Sequence, residues 1–170
     1  PLIALISILI RLDGPIFFTQ RRLGKNGKVF KIIKFRTMVV NADAYLDANG
    51  VPTRDRITKI GKVLRSTSLD EIPQLFNIIL GQMSFIGPRP TLVDHWNRYT
   101  AKQKKRAQML PGITGWAQVT GRNEIPWSER IRLDLEYIEN FSLWFDVIII
   151  LMTIGVVFQK KGIVMDRNTS

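Results

Sequence analysis

Two acidic residues, Asp70 and Glu71, stand side by side in the densest stretch of motif-like sequence, residues 68–90. A carboxylate is a weak nucleophile, yet toward a phosphorus centre it can form an acyl phosphate. Such an attack needs a metal ion and arginines to neutralise the phosphate charge. Because adjacent carboxylates discourage simultaneous ionisation, one can accept a proton while the other attacks. The pair is therefore a candidate centre for phosphoryl chemistry.

The same pair also has a purely structural interpretation. Ser68 and Glu71 have the spacing of a capping box, in which Ser68 begins a helix and the Glu71 side chain reaches back to its amide. That helix would end at Gly81. Pro73 opposes this interpretation, because at the fifth helical position it removes a backbone hydrogen bond and crowds a preceding carbonyl. We therefore predict an irregular backbone around the pair, a feature common at functional sites.

Cationic residues suited to phosphate occur on both sides of the acidic pair. Arg65 precedes it, and Arg89 follows in the sequence GPRP. The flanking prolines fix the backbone that presents the guanidinium, which suits bidentate recognition of phosphate. Lys34 and Arg36 share one face of a predicted strand. They would lie at the rim of a pocket, or simply at an exposed strand end.

Composition limits the remaining chemistry. The chain has 170 residues, no cysteine and one histidine, His95, which argues against thiolate nucleophiles, cysteine-ligated zinc and histidine-based triads. Lys and Arg total 25 against 14 Asp and Glu, so the net charge is +11. This excess predicts an anionic partner, which could be nucleic acid, lipid headgroups or a phosphorylated substrate.

Two apolar segments, residues 1–10 and 147–158, distinguish among these partners. Ten helical residues rise about 15 Å, roughly half of the hydrocarbon thickness, so neither segment can span a bilayer alone. Trp144 and Phe145 precede the second segment and two lysines follow it, a pattern typical of interfacial anchoring. An ordinary core helix is the alternative. On this basic chain, the two segments favour a protein that lies in one leaflet.

Several elements must position these residues. Strands are predicted over 16–22 and 28–38, and the Asn26-Gly27 pair between them is a strong hairpin signal. Asp55 is expected to cap the first of three further helices, and the segment 111–123 is expected to be an ordered loop. These helices are predicted over 55–64, 91–109 and 128–139. No repeat or low-complexity linker divides the chain.

The motifs SLDEIPQLFNIILGQMSFIGPRP, KIIKFRTM and PGITGWAQVTGRN together resemble the bacterial sugar transferase family. These monotopic phosphoglycosyl transferases initiate glycan assembly on a polyprenyl phosphate carrier, and the resemblance runs from Pro1 to about Gly162. It implies an α+β fold: a short β-hairpin with several amphipathic helices around it, membrane-associated through re-entrant and interfacial helices. It also implies one catalytic domain over 1–170, in which residues 1–12 end a truncated re-entrant helix.

The resemblance further implies a two-step activity. Asp70 attacks the β-phosphate of a nucleotide diphosphosugar, usually uridine-linked, and releases the nucleoside monophosphate. Polyprenyl phosphate then attacks the phosphosugar left on the enzyme. Glu71 matches the partner carboxylate, either as the base that activates the lipid phosphate or as a metal neighbour. Mg²⁺ is the implied cofactor, with Asp70 and Glu71 as its ligands. The product would start an exopolysaccharide, O-antigen, capsule or glycoprotein glycan.

Substrate-binding candidates and a location follow from the same resemblance. Basic positions of the family motifs are candidates for phosphate or nucleotide contacts, and a later acidic-aromatic motif adds two more residues. These candidates are Lys34, Arg36, Arg65, Arg89 and Arg122, followed by Asp134 and Tyr137. The implied location is the cytoplasmic face of the bacterial inner membrane, with membrane lipid as a partner. The sugar and the oligomeric state stay open, and a homodimer is one option.

Two other functions compete with this interpretation. A basic nucleic-acid-binding domain would explain the charge of +11 and the run KQKKR, but it leaves the apolar segments and Asp70-Glu71 unexplained. No nucleic acid is therefore expected among the partners. A non-catalytic membrane scaffold is the other alternative, and the intact acidic pair and GPRP sequence argue against it.

Overall fold

The chain is a mixed α+β protein in a computed structural model that describes residues 1–121 and 125–159. The α-helices are α1 Leu2–Arg11, α2 Lys59–Thr67, α3 Gln74–Ile79, α4 Ala101–Lys104, α5 Trp116–Thr120, α6 Trp127–Glu139 and α7 Leu143–Gln159. The strands are β1 Phe17–Leu23, β2 Val29–Phe35, β3 Ser84–Ile86 and β4 Gly112–Thr114. Strands β1 and β2 form one sheet, and β3 and β4 form another. The predicted α+β class with a β-hairpin and several helices is confirmed.

The hairpin turn adopts the conformation that its sequence favours. Asn26 and Gly27 both have positive φ, 55° and 74°, and they lie in a single 3₁₀ turn. The Gly24 amide donates to the Lys28 carbonyl at 2.8 Å and closes the loop. Both residue types tolerate the left-handed region, so the local chemistry of this pair favours the turn.

A second, parallel sheet was not predicted. Ser84 pairs with Gly112, and Ile86 pairs with Thr114. The segment 111–123, predicted to be a loop, therefore contains β4 and α5 among its described residues. Strands of three residues carry too little periodicity to be recognised from sequence.

Helix α2 begins later than predicted. Thr58 is its N-cap, and the Thr58 Oγ1 accepts a hydrogen bond from the Gly61 amide at 2.9 Å. Asp55 instead accepts from the Ile57 amide at 3.0 Å, in a local turn that precedes the helix. The prediction of Asp55 as the cap was wrong, because two residues with capping side chains compete within four positions.

The predicted single helix over 91–109 was also wrong. A 3₁₀ helix at Val93–Arg98 comes first, and α4 then begins at a capping box formed by Thr100 and Gln103. A further 3₁₀ turn, Lys105–Gln108, follows α4. Because Thr100 is extended, with φ −66° and ψ 164°, it interrupts the helical run that the composition indicated. By contrast, α6 at Trp127–Glu139 confirms the charged helix predicted over 128–139.

Contacts divide the chain into two compact units. Unit 1 comprises Pro1–Phe18 and Lys34–Pro73, and its core is formed by Ile6, Ile10, Phe35 and Leu64. Unit 2 comprises, among the described residues, Thr19–Ile33, 74–121 and 125–159. The clusters of buried residues in unit 2 are Ile86, Val119, Tyr137 and Ile149; Phe30, Ile32 and Met83; and Tyr99, Ile131 and Leu135. The single catalytic domain stays a prediction.

One helix in each unit exposes a long apolar face. In unit 1, α1 buries Ile6 and Ile10 but leaves Leu5 and Ile8 exposed, and Leu12 just after it is 82% exposed. In unit 2, α7 buries Ile149 and exposes a row of large apolar side chains. That row is Leu143, Trp144, Val147, Ile150, Leu151, Ile154 and Phe158. No helix among the described residues is both long and apolar enough to cross a bilayer. Re-entrant and interfacial placement stays a prediction.

Candidate active site

The backbone around the acidic pair is irregular, as predicted. Ser68 has a left-handed conformation, φ 58° and ψ 16°, and ends α2 by donating its amide to the Arg65 carbonyl at 3.3 Å. A 3₁₀ turn, Leu69–Glu71, follows, and Pro73 separates it from α3. The Ser68 side chain makes no capping hydrogen bond, so the capping box does not form. The capping box therefore does not explain the two carboxylates.

Glu71 forms an ion pair with Lys34 inside unit 1. The Lys34 Nζ donates to Glu71 Oε1 at 2.6 Å, and the two side chains are 18% and 19% exposed. An ion pair withdrawn from solvent to this extent is screened less than a surface pair. The ammonium thus neutralises the charge of Glu71 beside Asp70.

Asp70 is partly buried, and its surroundings oppose ionisation. Burial raises the pKa of Asp70 above its usual value, and the neighbouring Glu71 carboxylate raises it further. Lys34 and Arg65 act in the opposite direction and lower this pKa. Asp70 therefore holds its proton more readily than an exposed aspartate, and its ionisation responds to both partners.

Arg65 lies close enough to lower the pKa of Asp70, and its position depends on α2, which packs directly on the backbone after β2. A Cβ added to Gly61 would lie 2.0 Å from the Thr37 carbonyl oxygen, so only glycine allows this approach. The Arg65 Nε then donates to Thr37 Oγ1 at 3.0 Å. Unit 1 therefore brings together four of the predicted site residues, which are Lys34, Arg65, Asp70 and Glu71.

Arg36 lies in unit 1 but bonds mainly to the backbone. It is buried, and its guanidinium donates to the carbonyls of Pro15 at 2.7 Å, Met38 at 2.7 Å and Ile10 at 3.3 Å. These bonds fasten the end of α1 to the chain after β2. The geometry favours a structural role, and a substrate contact through Arg36 stays a prediction.

In unit 2, Arg89 lies in a rigid turn, which we call the Arg89 turn and define as Pro88–Thr91. Four consecutive carbonyl oxygens of this turn accept hydrogen bonds. The donors to Pro88, Arg89, Pro90 and Thr91 are, in that order, Gly112 N at 3.0 Å, Arg106 Nη2 at 3.3 Å, Arg22 Nη1 at 3.4 Å and Leu23 N at 2.9 Å. Both prolines are buried, whereas Arg89 is exposed. The turn thus presents the guanidinium from a fixed backbone.

Close backbone packing sets the position of the Arg89 turn. A Cβ at Gly87 would lie 2.4 Å from the Leu110 carbonyl oxygen. One at Gly112 would lie 2.2 Å from the Gly87 nitrogen, and one at Gly115 would lie 2.2 Å from the Gly87 oxygen. The glycines of the GPRP and PGITG sequences therefore belong to one packing arrangement, which explains why both motifs contain them.

Asp134 forms a buried ion pair with Arg106. The side chains are 2% and 5% exposed, and Arg106 also donates to the Tyr99 hydroxyl at 3.1 Å. Burial raises the pKa of Asp134 to about 6, although Arg106 acts to lower it. Since Arg106 bonds to the Arg89 carbonyl, the pair supports the Arg89 turn. The geometry favours a structural role for Asp134, and its predicted substrate contact stays a prediction.

Sequence reasoning missed Arg106. It belongs to the basic run KQKKR, yet its side chain is only 5% exposed. The available signal was Asp134, a carboxylate within an otherwise apolar helix face, which needs a cationic partner. Nothing in the run itself distinguishes its buried arginine from the neighbouring cations.

Tyr137 is 1% exposed and packs in the core of unit 2. Its hydroxyl donates to Asp146 Oδ1 at 2.7 Å, and burial together with this carboxylate raises the pKa of Tyr137. A side chain enclosed in this way favours a structural role, and its predicted substrate contact stays a prediction. Arg122, the remaining predicted contact, lies outside the described residues.

A magnesium ion would have a restricted set of ligands here. Within the described residues, no group of three or more His, Cys, Asp or Glu side chains could hold a metal. Asp70 and Glu71 offer adjacent carboxylate oxygens, and Mg²⁺ is commonly bound by one or two carboxylates together with substrate phosphates and water. The donor set thus fits a metal that arrives with a diphosphate substrate.

Comparison with known proteins finds one family profile and several relatives that match this chain. The profile of the family described as bacterial sugar transferase matches residues 1–160. The chain is 41% identical over 162 residues to the uncharacterized sugar transferase EpsL of Bacillus subtilis (strain 168), covering 95% of this chain and 79% of EpsL. It is 38% identical over 179 residues to the exopolysaccharide production protein ExoY of Rhizobium meliloti (strain 1021), again covering 95% and 79%.

A longer relative carries a more specific name. Over 174 residues the chain is 40% identical to the UDP-glucose:undecaprenyl-phosphate glucose-1-phosphate transferase of Escherichia coli (strain K12). The match covers 95% of this chain but 37% of that protein. The chain therefore corresponds to a part of the longer relative and to most of EpsL and ExoY.

Proposed function

The chain belongs to the bacterial sugar transferase family, and on that premise we propose that it transfers a sugar 1-phosphate from a uridine-diphosphate sugar to undecaprenyl phosphate. Membership makes it an enzyme of sugar transfer. The name of the E. coli relative supports both substrates and makes UDP-glucose the first donor to test. The name of ExoY supports exopolysaccharide synthesis as the process that this transfer begins.

Two displacements at phosphorus account for the reaction. In the first, an Asp70 carboxylate oxygen bonds to the β-phosphorus, and the bond from that phosphorus to the bridging oxygen breaks. The electron pair leaves with uridine monophosphate. In the second, an oxygen of undecaprenyl phosphate bonds to the same phosphorus, and the bond to Asp70 breaks. The carboxylate is regenerated, and the product is the lipid diphosphosugar.

The observation that carries this proposal is the environment of Asp70. Its carboxyl lies outside a regular helix, is partly buried, and is under the electrostatic influence of Glu71, Lys34 and Arg65. The capping box that would give Ser68 and Glu71 a purely structural role at a helix start is not formed. A carboxyl kept away from bulk water, with cations nearby, suits nucleophilic attack on a phosphate.

Glu71 and Lys34 assist rather than attack in this account. Lys34 offsets the charge of Glu71, so an anionic donor meets less repulsion as it approaches Asp70. The Glu71 carboxylate then accepts the proton of an incoming lipid phosphate, or contributes an oxygen to a metal ion. Arg65 adds a cation that is oriented by Thr37.

Mg²⁺ is part of the proposal, with Asp70 and Glu71 as its protein ligands. When bound, such an ion withdraws charge from the diphosphate and makes the departing monophosphate a better leaving group. Residues of this chain hold the carboxylates in place: Ser68 sets the turn that presents them, and Lys34 fixes the Glu71 side chain.

Location at the cytoplasmic face of the inner membrane is likewise proposed. The exposed apolar faces of α1 and α7 support it, since contiguous apolar patches on a soluble surface are uncommon. Within each of these helices the exposed apolar residues lie on one side, as they do in helices that lie in the membrane interface. The net charge of +11 favours anionic headgroups. A lipid phosphate acceptor requires an enzyme with access to a membrane surface.

The experiment that tests the function is a donor screen. The chain is purified in detergent and incubated with undecaprenyl phosphate, Mg²⁺ and one of several uridine-diphosphate sugars, including glucose and galactose. Release of uridine monophosphate with at least one donor, together with a lipid diphosphosugar product, is the expected result. Absence of both products with every donor, in a preparation that remains folded, would overturn the proposal.

A further inference from the structure

Five lysines of unit 2 lie on two short segments that meet beside Trp96. One segment is the hairpin turn, and the other runs through α4 into the next 3₁₀ turn; the turns Lys25–Gly27 and Lys105–Gln108 are in contact. A Cβ added to Gly27 would lie 3.1 Å from Trp96 Cζ2, and Lys104 Nζ lies 5.1 Å from the centre of the Trp96 ring. We call this cluster the lysine surface, and its members are Lys25, Lys28, Lys102, Lys104 and Lys105.

No carboxylate offsets the charge of the lysine surface. Four of its members are exposed, and Lys104 is half-buried. Among the residues that the structure describes, none of the five lysines forms an ion pair. The 3₁₀ segment Val93–Arg98, which contains Trp96, carries one acidic residue, Asp94, and one arginine, Arg98, whose charges offset each other. The surface therefore holds five positive charges.

Packing fixes the backbone beneath these charges. Trp96 packs against the buried side chains of Ile131 and Leu135. The α4 segment begins at its capping box, in which Thr100 Oγ1 accepts from the Gln103 amide at 3.2 Å and Gln103 Oε1 accepts from the Thr100 amide at 3.0 Å. The fold thus brings together like charges that repel one another, and an anionic partner would relieve this repulsion.

We propose that the lysine surface binds the anionic headgroups of a phospholipid bilayer. An ammonium is a compact, strongly hydrated charge on a flexible stem, whereas a guanidinium fork fits a partner of fixed geometry. Five lysines without an arginine therefore suit a fluid layer of phosphate groups better than a rigid ligand. Clusters of about four to eight cations close to a membrane are attracted to anionic lipid in this way.

The inference rests on the membrane location proposed above and adds a lipid preference to it. Unit 2 also carries the exposed apolar row of α7, which is the proposed apolar contact with the bilayer. Apolar burial does not distinguish one phospholipid from another, because their acyl chains are alike. The lysine surface adds this distinction, since it strengthens binding where the headgroups carry negative charge.

An acidic protein or a nucleic acid fits the lysine surface less well. The centre of a protein interface is enriched in aromatic residues and arginine and depleted of lysine. Single-stranded nucleic acid needs aromatic rings on which its bases can stack. The aromatic residue of this surface, Trp96, is half-buried and has Gly27 and Lys104 against its ring. Duplex nucleic acid is tested below.

The test compares two double variants that each remove two exposed positive charges. Lys28→Gln with Lys105→Gln changes one lysine on each segment of the surface, and Arg54→Gln with Lys59→Gln is the matched control in unit 1. Flotation is measured with vesicles of phosphatidylcholine alone and of phosphatidylcholine with phosphatidylglycerol, at low and at high salt. Melting temperatures near that of the wild type establish that both variants are folded.

We expect the wild type to bind the vesicles with phosphatidylglycerol more tightly, and salt should reduce this difference. The variant of the lysine surface should lose about tenfold in partitioning onto these vesicles, because each lysine near an anionic membrane strengthens binding several-fold. Its binding to phosphatidylcholine alone should match that of the wild type. The control variant should match the wild type on both kinds of vesicle.

Three results would overturn the lysine surface as a lipid site. The first is equal flotation of the wild type on both kinds of vesicle. The second is an equal loss in the two double variants, which would assign the lipid preference to net charge. The third is tight binding of duplex DNA that the Lys28→Gln, Lys105→Gln variant loses, without any lipid preference, which would assign the surface to nucleic acid.

Activity in a neutral detergent keeps this inference separate from the proposed function. Because no anionic bilayer is present there, the variant of the lysine surface should transfer the sugar phosphate at the wild-type rate. A large loss of transfer in detergent would instead assign these lysines to a substrate and contradict the inference. A wild type that shows the lipid preference but transfers no sugar phosphate from any donor would contradict the proposed function and leave the lysine surface supported.

Discussion

At the residue scale, Asp70 and Glu71 are adjacent in sequence but differ in their surroundings. Glu71 is held by the Lys34 ammonium at 2.6 Å. Asp70 is subject to burial and to the Glu71 charge, both of which raise its pKa. In the proposed reaction, Asp70 attacks and Glu71 supports it, and this difference in surroundings is what the proposal uses to separate the two roles.

The pH dependence of adduct formation tests this division. Only the ionised Asp70 attacks, so the single-turnover rate should rise with pH, with a midpoint above the usual range for aspartate. Lys34→Met should move that midpoint upward, because Lys34 lowers the pKa of Asp70. Glu71→Gln should move it downward, because Glu71 raises that pKa. Midpoints that move together, or in the reverse order, contradict the assignment.

The buried ion pair of unit 2 permits a stability prediction. Asp134→Asn removes the charge partner of Arg106, which is 5% exposed, and should lower the free energy of unfolding by about 3–5 kcal/mol. Glu129→Gln is the control, since it breaks an exposed pair with Arg132 and should change stability little. Denaturant titration of both variants is the measurement. Equal stability of the two variants would mean that Asp134 and Arg106 are not a buried pair.

At the element scale, features set by local chemistry could be predicted, and those set by distant packing could not. The hairpin turn contains Asn26 and Gly27, and the positive φ of both residues is expected from an Asn-Gly pair. The parallel pairing of β3 with β4 depends on Gly87 and Gly112, which approach each other across 25 positions of sequence. No local pattern reports such an approach. Burial of Arg106 was missed for the same reason.

Glycine substitution tests how α2 positions the candidate site. Gly61→Ala places a methyl group 2.0 Å from the Thr37 carbonyl oxygen, so α2 and Arg65 must move away from the end of β2. We expect a lower melting temperature and a slower adduct-forming step. The control is Gly155→Ala in α7, where nothing lies within 4 Å and alanine suits a helix. If both variants behave alike, close packing of α2 is not required.

At the scale of the whole molecule, the sequence indicated an interfacial protein from two short apolar segments. The segments do form helices, α1 and α7, with apolar side chains on their outer faces. Whether a given apolar helix is a core helix or a surface helix depends on how much of it the rest of the chain covers. Only the folded arrangement decides this, which is why the two interpretations stayed open from sequence.

Membrane binding can be tested on the exposed face of α7. Leu151→Lys places a charge in the middle of the apolar row and should reduce co-flotation with vesicles of phosphatidylethanolamine and phosphatidylglycerol several-fold. Val51→Lys makes the same kind of change at an exposed loop position of unit 1, and it should bind as the wild type does. Equal flotation of Leu151→Lys and the wild type would show that the exposed face of α7 does not contact the membrane.

The central claim is that Asp70 carries the phosphosugar. The wild type is mixed with the donor found in the screen, without lipid acceptor, quenched in acid, and digested for peptide mass spectrometry. We expect a sugar phosphate on the peptide that contains Asp70, with release of an equal amount of uridine monophosphate. The Asp70→Asn variant should give neither product, while its melting temperature stays unchanged. An adduct on another residue, or transfer by the Asp70→Asn variant, would contradict Asp70 as the nucleophile.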